Sequence, residues 1–256
     1  MSKLSGIFST KKSRLVLFAT VLIYVGIVTL GAVYIARQSE AERYLQSDLV
    51  ARFTFRERKG GSVENIAGVG RAVLHNPGWV KGNGYPVALR FDGRETFLEV
   101  HGINIEESFT VTGWLKSYDL EQQGALLQVS SLNENDPQLS IYSPLSQGKL
   151  GLHYSYGEGE TLVLSDKSLS EGWWQHVAVV YDHEVGSGRF YINGKHAGSG
   201  KIDLGGGKYG ERMFIGMEEY KLEGETKRRF FLNAAMDSIS IYNRALSEKE
   251  VGLLVS

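Results

Sequence analysis

Cysteine is absent from this chain of 256 residues. No disulfide framework, thiolate metal site, cysteine nucleophile or cysteine-linked lipid anchor can be built. The residue after Met1 is Ser2, not the glycine that myristoylation needs. Proline is scarce at 4 residues, while glycine is plentiful at 31. That balance excludes a collagen-like or disordered chain and suits a globular one with tight turns. The formal net charge is -1. No global basic field exists, so nucleic acid is not an expected partner. No acidic residue precedes Glu40, whereas Lys3, Lys11, Lys12 and Arg14 lie in that stretch.

These basic residues give way to an apolar run. Leu15 to Ala36 carries no charge, passing through Leu22, Tyr24, Gly26 and Gly31. At 1.5 Å per residue it covers a bilayer core of roughly 30 Å. It is longer than a signal-peptide core, and Tyr34 sits badly in a small-residue cleavage site. The chain therefore reads as a basic N-terminus over 1–14, a transmembrane helix over 15–36 and a polar stalk over 37–48. The positive-inside rule leaves the basic end in the cytoplasm and sends the rest outside. Nothing in the span ionises at ordinary pH, so it is no ion path. Gly26, Thr29, Gly31 and Ala32 would let a neighbouring helix approach, or would simply face lipid. A pilin-type anchor is excluded, because Gly6-Ile7-Phe8-Ser9-Thr10-Lys11 lacks its processing pattern.

From Leu49 onward the apolar period is two. Leu49–Phe55, Ala88–Phe91, Thr96–Val100 and Ser108–Leu115 read as strands. So do Gly124–Ser130, Gln138–Tyr142, Lys149–Tyr156 and Thr161–Leu164, then His176–Tyr181, Gly188–Ile192, Arg212–Ile215 and Asp237–Tyr242. They are rich in β-branched and aromatic residues and bounded by turn formers. About a dozen such strands predict an all-β, two-sheet antiparallel sandwich over 49–256. Asn193-Gly194 predicts a hairpin turn. Ser247 and Glu250 predict a capping box that opens one C-terminal helix.

Three phrases give this sandwich a family. They are Gly172-Trp173-Trp174-Gln175-His176-Val177-Ala178-Val179-Val180-Tyr181-Asp182, Arg189-Phe190-Tyr191-Ile192-Asn193-Gly194-Lys195 and the run Met236 to Ser247. Phe91–Val100 and Ser108–Lys116 add two more. Together they resemble the LamG-like jelly-roll domains of the concanavalin A-like lectin/glucanase superfamily. The resemblance implies a jelly roll in which Trp114, Trp174, Tyr191 and Tyr242 fill the space between sheets. It implies a hydrogen-bonded core histidine at His176, and Arg244 as a tie between the last strand and the helix. It also implies a structural Ca²⁺ beside the last strand, held by the Asp237 side chain and by backbone carbonyls of early loops. Ser238 and the basic loop Arg56–Ser62 depart from the acidic pattern of such sites. Capping a turn, or pairing with Arg244, is the alternative role for Asp237.

Catalysis is not expected. Glucanases of this fold place a Glu-x-Asp-x-Glu set on one strand. The nearest run, Glu134-Asn135-Asp136-Pro137-Gln138, ends in Gln and contains Pro137. His153, His183 and Asp182 match no triad or zinc spacing. Two functions remain. One is an interaction subunit, tethered to the bilayer and docked on other membrane-protein subunits. The other is a lectin-like or adhesive receptor for glycans. Its candidate loops are Asn133–Gln138, Tyr156–Glu160, Gly205–Gly210 and Glu218–Lys227, with Tyr156, Tyr209 and Tyr220 as stacking residues. The basic run Lys227-Arg228-Arg229 reads as a solvated hairpin. The setting the resemblance suggests is a bacterial inner membrane with the domain facing the periplasm.

Overall fold

The computed structural model describes residues 18–32, 45–57, 60–84, 86–130, 137–205, 209 and 212–255. It divides into a unit of Met1–Ser47 and a unit of Asp48–Ser256. In the first, α1 covers residues 18–32. Leu22, Tyr24, Ile27 and Leu30 on α1 are exposed. Thr29 satisfies its hydroxyl within the helix, donating to the Val25 carbonyl at 2.9 Å. No helix among the described residues is long and apolar enough to cross a membrane. The expected ends of the span, with Leu15 and Ala36, lie outside the described residues, as does most of the expected stalk.

The second unit is built from two eight-stranded antiparallel sheets. Strands are numbered along the chain. The first sheet runs β14 (Lys195–Lys201), β13 (Ser187–Ile192), β12 (Gln175–Asp182), β7 (Phe109–Ser117), β18 (Asn233–Tyr242), β5 (Ala88–Asp92), β4 (Gly78–Val80). Here β1 (Leu49–Phe53) joins beside the later half of β18. The second sheet runs β11 (Gly159–Ser168), β10 (Lys149–Tyr156), β9 (Gln138–Leu145), β8 (Ala125–Ser130), β15 (Arg212–Ile215), β6 (Phe97–His101), β3 (Arg71–His75), β2 (Ser62–Glu64). A separate hairpin, β16 (Glu218–Leu222) and β17 (Glu225–Arg229), completes the set.

Alternation explains the core. Phe109, Val111, Val177, Val179 and Tyr181 point inward from the first sheet, against Leu98, Leu127, Ile141 and Leu152 from the second. Each fully buried aliphatic or aromatic side chain contributes about 1.5–3 kcal/mol. The in-between residues of β12, Ala178 and Val180, face outward and are also buried. They pack with Tyr191, Tyr242, Leu246 and Val251 beneath α2 (Glu248–Leu253). Tyr191 and Tyr242 therefore do not lie between the sheets as the resemblance implied. They seal the outer face, because β13 and β18 turn those positions away from the core. Trp114 likewise sits on that outer face, half-buried, with its ring edge-on to His176 at 5.5 Å. The capping box is present at Ser247 and Glu250. Arg244 does tie strand to helix, bonding Glu250 at 2.7 Å.

Register fixes two poles. Leu49 pairs with Tyr242, Tyr242 with Thr110, and Thr110 with Val180. The chain thus enters the sandwich at the pole where β12 ends. Gln175, at the start of β12, pairs with Leu115. At about 3.3 Å per residue, β12 separates the two poles by roughly 25 Å.

Candidate functional site

In a β-sandwich the outer face of a sheet is open to solvent, and the second sheet presents a polar one. Gln128 and Ser130 of β8, Ser140 and Tyr142 of β9, Glu99 of β6 and Arg212 of β15 line it. All but Glu99 and Arg212 are buried, because the β16–β17 hairpin lies across them. The hairpin turns at Glu223 (φ 52) and Gly224 (φ 79), as a two-residue turn with positive φ at both positions requires. Gln128 anchors it. Its amide donates to the Glu219 carbonyl at 2.9 Å and accepts from the Glu219 N–H at 2.8 Å. Glu218 accepts from Ser140 (2.8 Å) and Tyr142 (3.0 Å), and its other oxygen from Arg229 (2.8 Å). Arg212 pairs with Glu219 and, at 3.3 Å, with Glu99. Arg228 lies over the Phe97 ring at 4.8 Å, and His75 stacks on that ring at 4.2 Å. Burial beside the Glu218 carboxylate pushes the Tyr142 phenol upward, so it stays a donor.

The segment expected as an open loop, Glu218–Lys227, is therefore a hairpin clamped on the sheet. Tyr220 has the Arg229 guanidinium over its ring at 4.5 Å, so that face of the ring is taken. The run Lys227–Arg229 is on an exposed strand, as expected, but each cation has a carboxylate partner: Glu225, Glu219 and Glu218.

Tyr209 overturns its expectation. It is only 2% exposed. Its ring packs edge-on against Phe109 and Tyr154, at 6.0 and 6.3 Å, and its hydroxyl donates to the Glu107 carbonyl at 3.3 Å. A ring held inside the core cannot stack on an incoming ligand. Burial also pushes its phenol pKa up. Tyr156 does reach solvent, at 59% exposure, on the last residue of β10. Its cross-strand partner is Gly159, whereas exposed Leu162 and Glu160 lie on the opposite face with His153, 3.6 Å from Glu160. Most of Asn133–Gln138 and of Gly205–Gly210 lies outside the described residues.

Asp237 sits where β18 changes partner. Residues Asn233–Met236 pair with β5, and Ile239–Tyr242 with β1. Between them the pairing with β7 shifts, and the backbone bulges. Gly113 is opposite this bulge, and a Cβ there would collide with the Ser238 carbonyl. Asp237 is 2% exposed, and its carboxylate accepts the Asn83 N–H at 3.1 Å. Burial raises its pKa, while the Asn83 bond and the Arg56 charge pull the other way. So the carboxylate caps the 81–84 loop, and Arg244 pairs instead with Glu250 and Asp48. Calcium takes about six to eight hard oxygens. Among the described residues no three acidic or histidine side chains gather into such a site. A lone carboxylate facing an arginine does not fit that ion by its side chains.

One exposed aromatic has no place among the residues the sequence singles out for binding. Trp173, in the loop between β11 and β12, is 72% exposed. The motif that carries it reads as family framework, which hides the residue. Trp173 and Trp174 both precede β12, so strand alternation does not reach them. Their loop is braced at several points. Leu169 is buried in the core and its N–H donates to the Gly148 carbonyl at 2.8 Å. Ser170 N–H donates to the Gln175 side chain at 2.6 Å, and Gly172 N–H to the Ser117 carbonyl at 2.8 Å. Gly172 has φ 75, which favours glycine there.

His176 is buried, as expected. Thr112 donates its one hydroxyl proton to the Val177 carbonyl at 3.0 Å, so it accepts from His176 Nε2–H at 2.8 Å. That fixes the tautomer and leaves Nδ1 without a partner. Burial pulls the His176 pKa down to about 4.

Solved structures share this fold. The chain is similar to the binding domain of Paraclostridial Mosquitocidal Protein 1, with 17% identity and a TM-score of 0.62 over 82% of this chain and 52% of that one. It is similar to domain 4 of AbnA, an extracellular arabinanase from Geobacillus stearothermophilus solved with arabinotriose, with 17% identity and a TM-score of 0.62 over 82% and 99%. It is also similar to the botulinum neurotoxin serotype C1 binding domain, with 14% identity and a TM-score of 0.62 over 82% and 52%. The chain spans about half the length of the two toxin binding domains. At these identities the likeness shows the fold alone. No curated protein matches the sequence. The family model for the concanavalin A-like lectin/glucanases superfamily, of laminin G type, matches residues 92–252, more than half of the chain. With the two-sheet jelly-roll-like sandwich on which those residues lie, the chain belongs to the concanavalin A-like lectin/glucanases superfamily.

Proposed function

We propose that this protein is a non-catalytic binding module, tethered to a membrane by the segment 15–36, that engages carbohydrate outside the cytoplasm. One observation carries the reading. The chain's own hairpin fills the middle of the second sheet's outer face, while single aromatics, Tyr156 and Trp173, stand in solvent at opposite poles of the sandwich. An isolated exposed ring among polar neighbours suits a sugar ring better than a protein interface. A stable protein interface wants about 800 Å² per partner with an apolar centre. Two toxin binding domains and an arabinanase domain solved with arabinotriose share the fold, and they support a binding role over an enzymatic one.

The tether rests on the exposed apolar side chains of α1, which call for lipid or another helix. The basic residues before it favour a cytoplasmic N-terminus and, in a bacterial inner membrane, a periplasmic domain. The second reading, an accessory subunit of a membrane complex, is favoured by those same side chains and by the exposed pair Leu162 and Leu164. Asp237 serves either reading as a loop cap, with no calcium required.

The test is to purify the full-length protein in mild detergent and apply it to a glycan array. Retention on defined oligosaccharides supports the proposal. Absence of retention, with stoichiometric membrane partners in the purified material, establishes the second reading instead.

A further inference from the structure

We propose that the β11–β12 loop is a preformed saccharide subsite, with Trp173 as the ring on which the sugar stacks. The inference rests on the carbohydrate reading above and assigns it to one place. Three observations meet there. First, Trp173 is 72% exposed, more than any other aromatic of the Asp48–Ser256 unit among the described residues. Second, the loop that carries it is rigid. Leu169 is sunk in the core, Ser170 is bonded to Gln175, and Gly172 to Ser117. A loop backbone held ready before binding loses little entropy when a ligand arrives. Third, its surroundings are polar. Ser170, Glu171 and Gly172 precede it and are exposed. The Asn193–Gly194 turn lies beside the start of β12, since Asn193 accepts the His176 N–H at 2.9 Å. Exposed Lys195 comes next after that turn.

Each part has a chemical meaning. The indole offers a flat apolar face, complementary to the axial C–H face of a gluco- or galacto-configured pyranose. The Ser170 hydroxyl and Glu171 carboxylate of the same loop, and the Lys195 amine after the Asn193–Gly194 turn, are the kinds of group that bond the equatorial hydroxyls of such a sugar. A protein partner would want more apolar area than one ring supplies. Location agrees as well. The chain enters the sandwich at the opposite pole, roughly 25 Å from this loop. Tyr156 is exposed too, but it lies at the pole of entry.

The experiment uses the full-length protein in detergent and β-1,4-linked tetrasaccharides of glucose, galactose, mannose and N-acetylglucosamine as probes. Binding is measured by calorimetry, and tryptophan emission with iodide quenching reports on the exposed ring. A bound sugar is expected to shield Trp173 from iodide. W173A is expected to weaken binding on the order of tenfold, W173F less, and Y156A not at all. Trp173 is exposed, so these variants should unfold with the wild-type midpoint. If Y156A loses binding and W173A keeps it, the subsite is overturned and the carbohydrate reading stands. If the wild type binds no saccharide, both fall. If W173A instead releases a co-purifying protein, the ring is a protein hot spot and the saccharide subsite is refuted.

Discussion

Acidifying the protein from pH 7 to pH 4 should loosen the sandwich through one side chain, His176. The ring is 3% exposed, and its Nε2–H is committed to Thr112. A second proton must land on Nδ1, which is buried and has no acceptor. Burial therefore lowers the folded pKa to about 4, from an ordinary value of 6.5. The sign comes from proton counting. Between these two values the unfolded chain binds a proton that the folded chain refuses, so stability rises with pH across the window. The contribution is complete above pH 6.5 and is lost as pH falls toward 4. Integrating the two titrations gives a loss of about 2 kcal/mol by pH 5 and about 3 kcal/mol by pH 4. Urea midpoints across pH 4–7 measure it, with His176→Gln as the non-titrating control. The difference in pH slope between the two proteins isolates the histidine. Asp237 has a raised pKa, so its effect runs the other way: stability present at low pH is lost as pH rises through the folded value. Equal slopes for wild type and His176→Gln would refute the buried, unpartnered Nδ1.

Other expectations test the remaining geometry. Gly113→Ala drives a Cβ into the Ser238 carbonyl at the bulge, and should cost about 1–3 kcal/mol by urea unfolding. Arg229→Ala leaves the buried Glu218 carboxylate with hydroxyl donors only. It should cost about 2 kcal/mol, and limited proteolysis should then cut between Leu222 and Arg229. Asp237→Asn keeps an acceptor for Asn83 and removes a charge that burial opposes. Its midpoint should equal or exceed that of the wild type near neutral pH. The thermal midpoint should be the same in millimolar calcium as in EDTA, since only one carboxylate stands at that site; a rise with calcium would restore the ion to the Asp237 junction.

The strands that are legible in the sequence are those whose reasons are local. His176–Tyr181 falls inside the observed Gln175–Asp182, and the Ser247 capping box opens α2 where it is expected. Alternation and turn chemistry act over a few residues, so they survive in sequence. Strand β14, Lys-His-Ala-Gly-Ser-Gly-Lys, has no such pattern. It exists because β13 offers an edge, and because Gly198 and Gly200 let β11 come close; a Cβ at Gly198 would strike the Asp166 amide. The docking of the β16–β17 hairpin on the sheet is hidden for a related reason. Its strands are charged, and their partners lie some ninety residues away in β8 and β9 or beyond in β6. Tyr209 shows the limit for single residues. A lone aromatic outside any strand carries no period, so nothing local distinguishes a core ring from a rim ring.

The hairpin also closes the middle of the second sheet's outer face. Replacing its ion pairs with apolar residues would in general cost no stability, because desolvating charges offsets their attraction. What the pairs supply is register. Shifting β16 by one residue would turn Glu218 away from Ser140 and Tyr142, and Glu219 away from Gln128 and Arg212. Each misplaced carboxylate would then be buried without its donors. The hairpin is consequently fixed in one position and is not a lid that a ligand lifts. On the reading proposed above, a ligand meets a filled centre on this sheet and binds at the pole where the braced Trp173 loop lies.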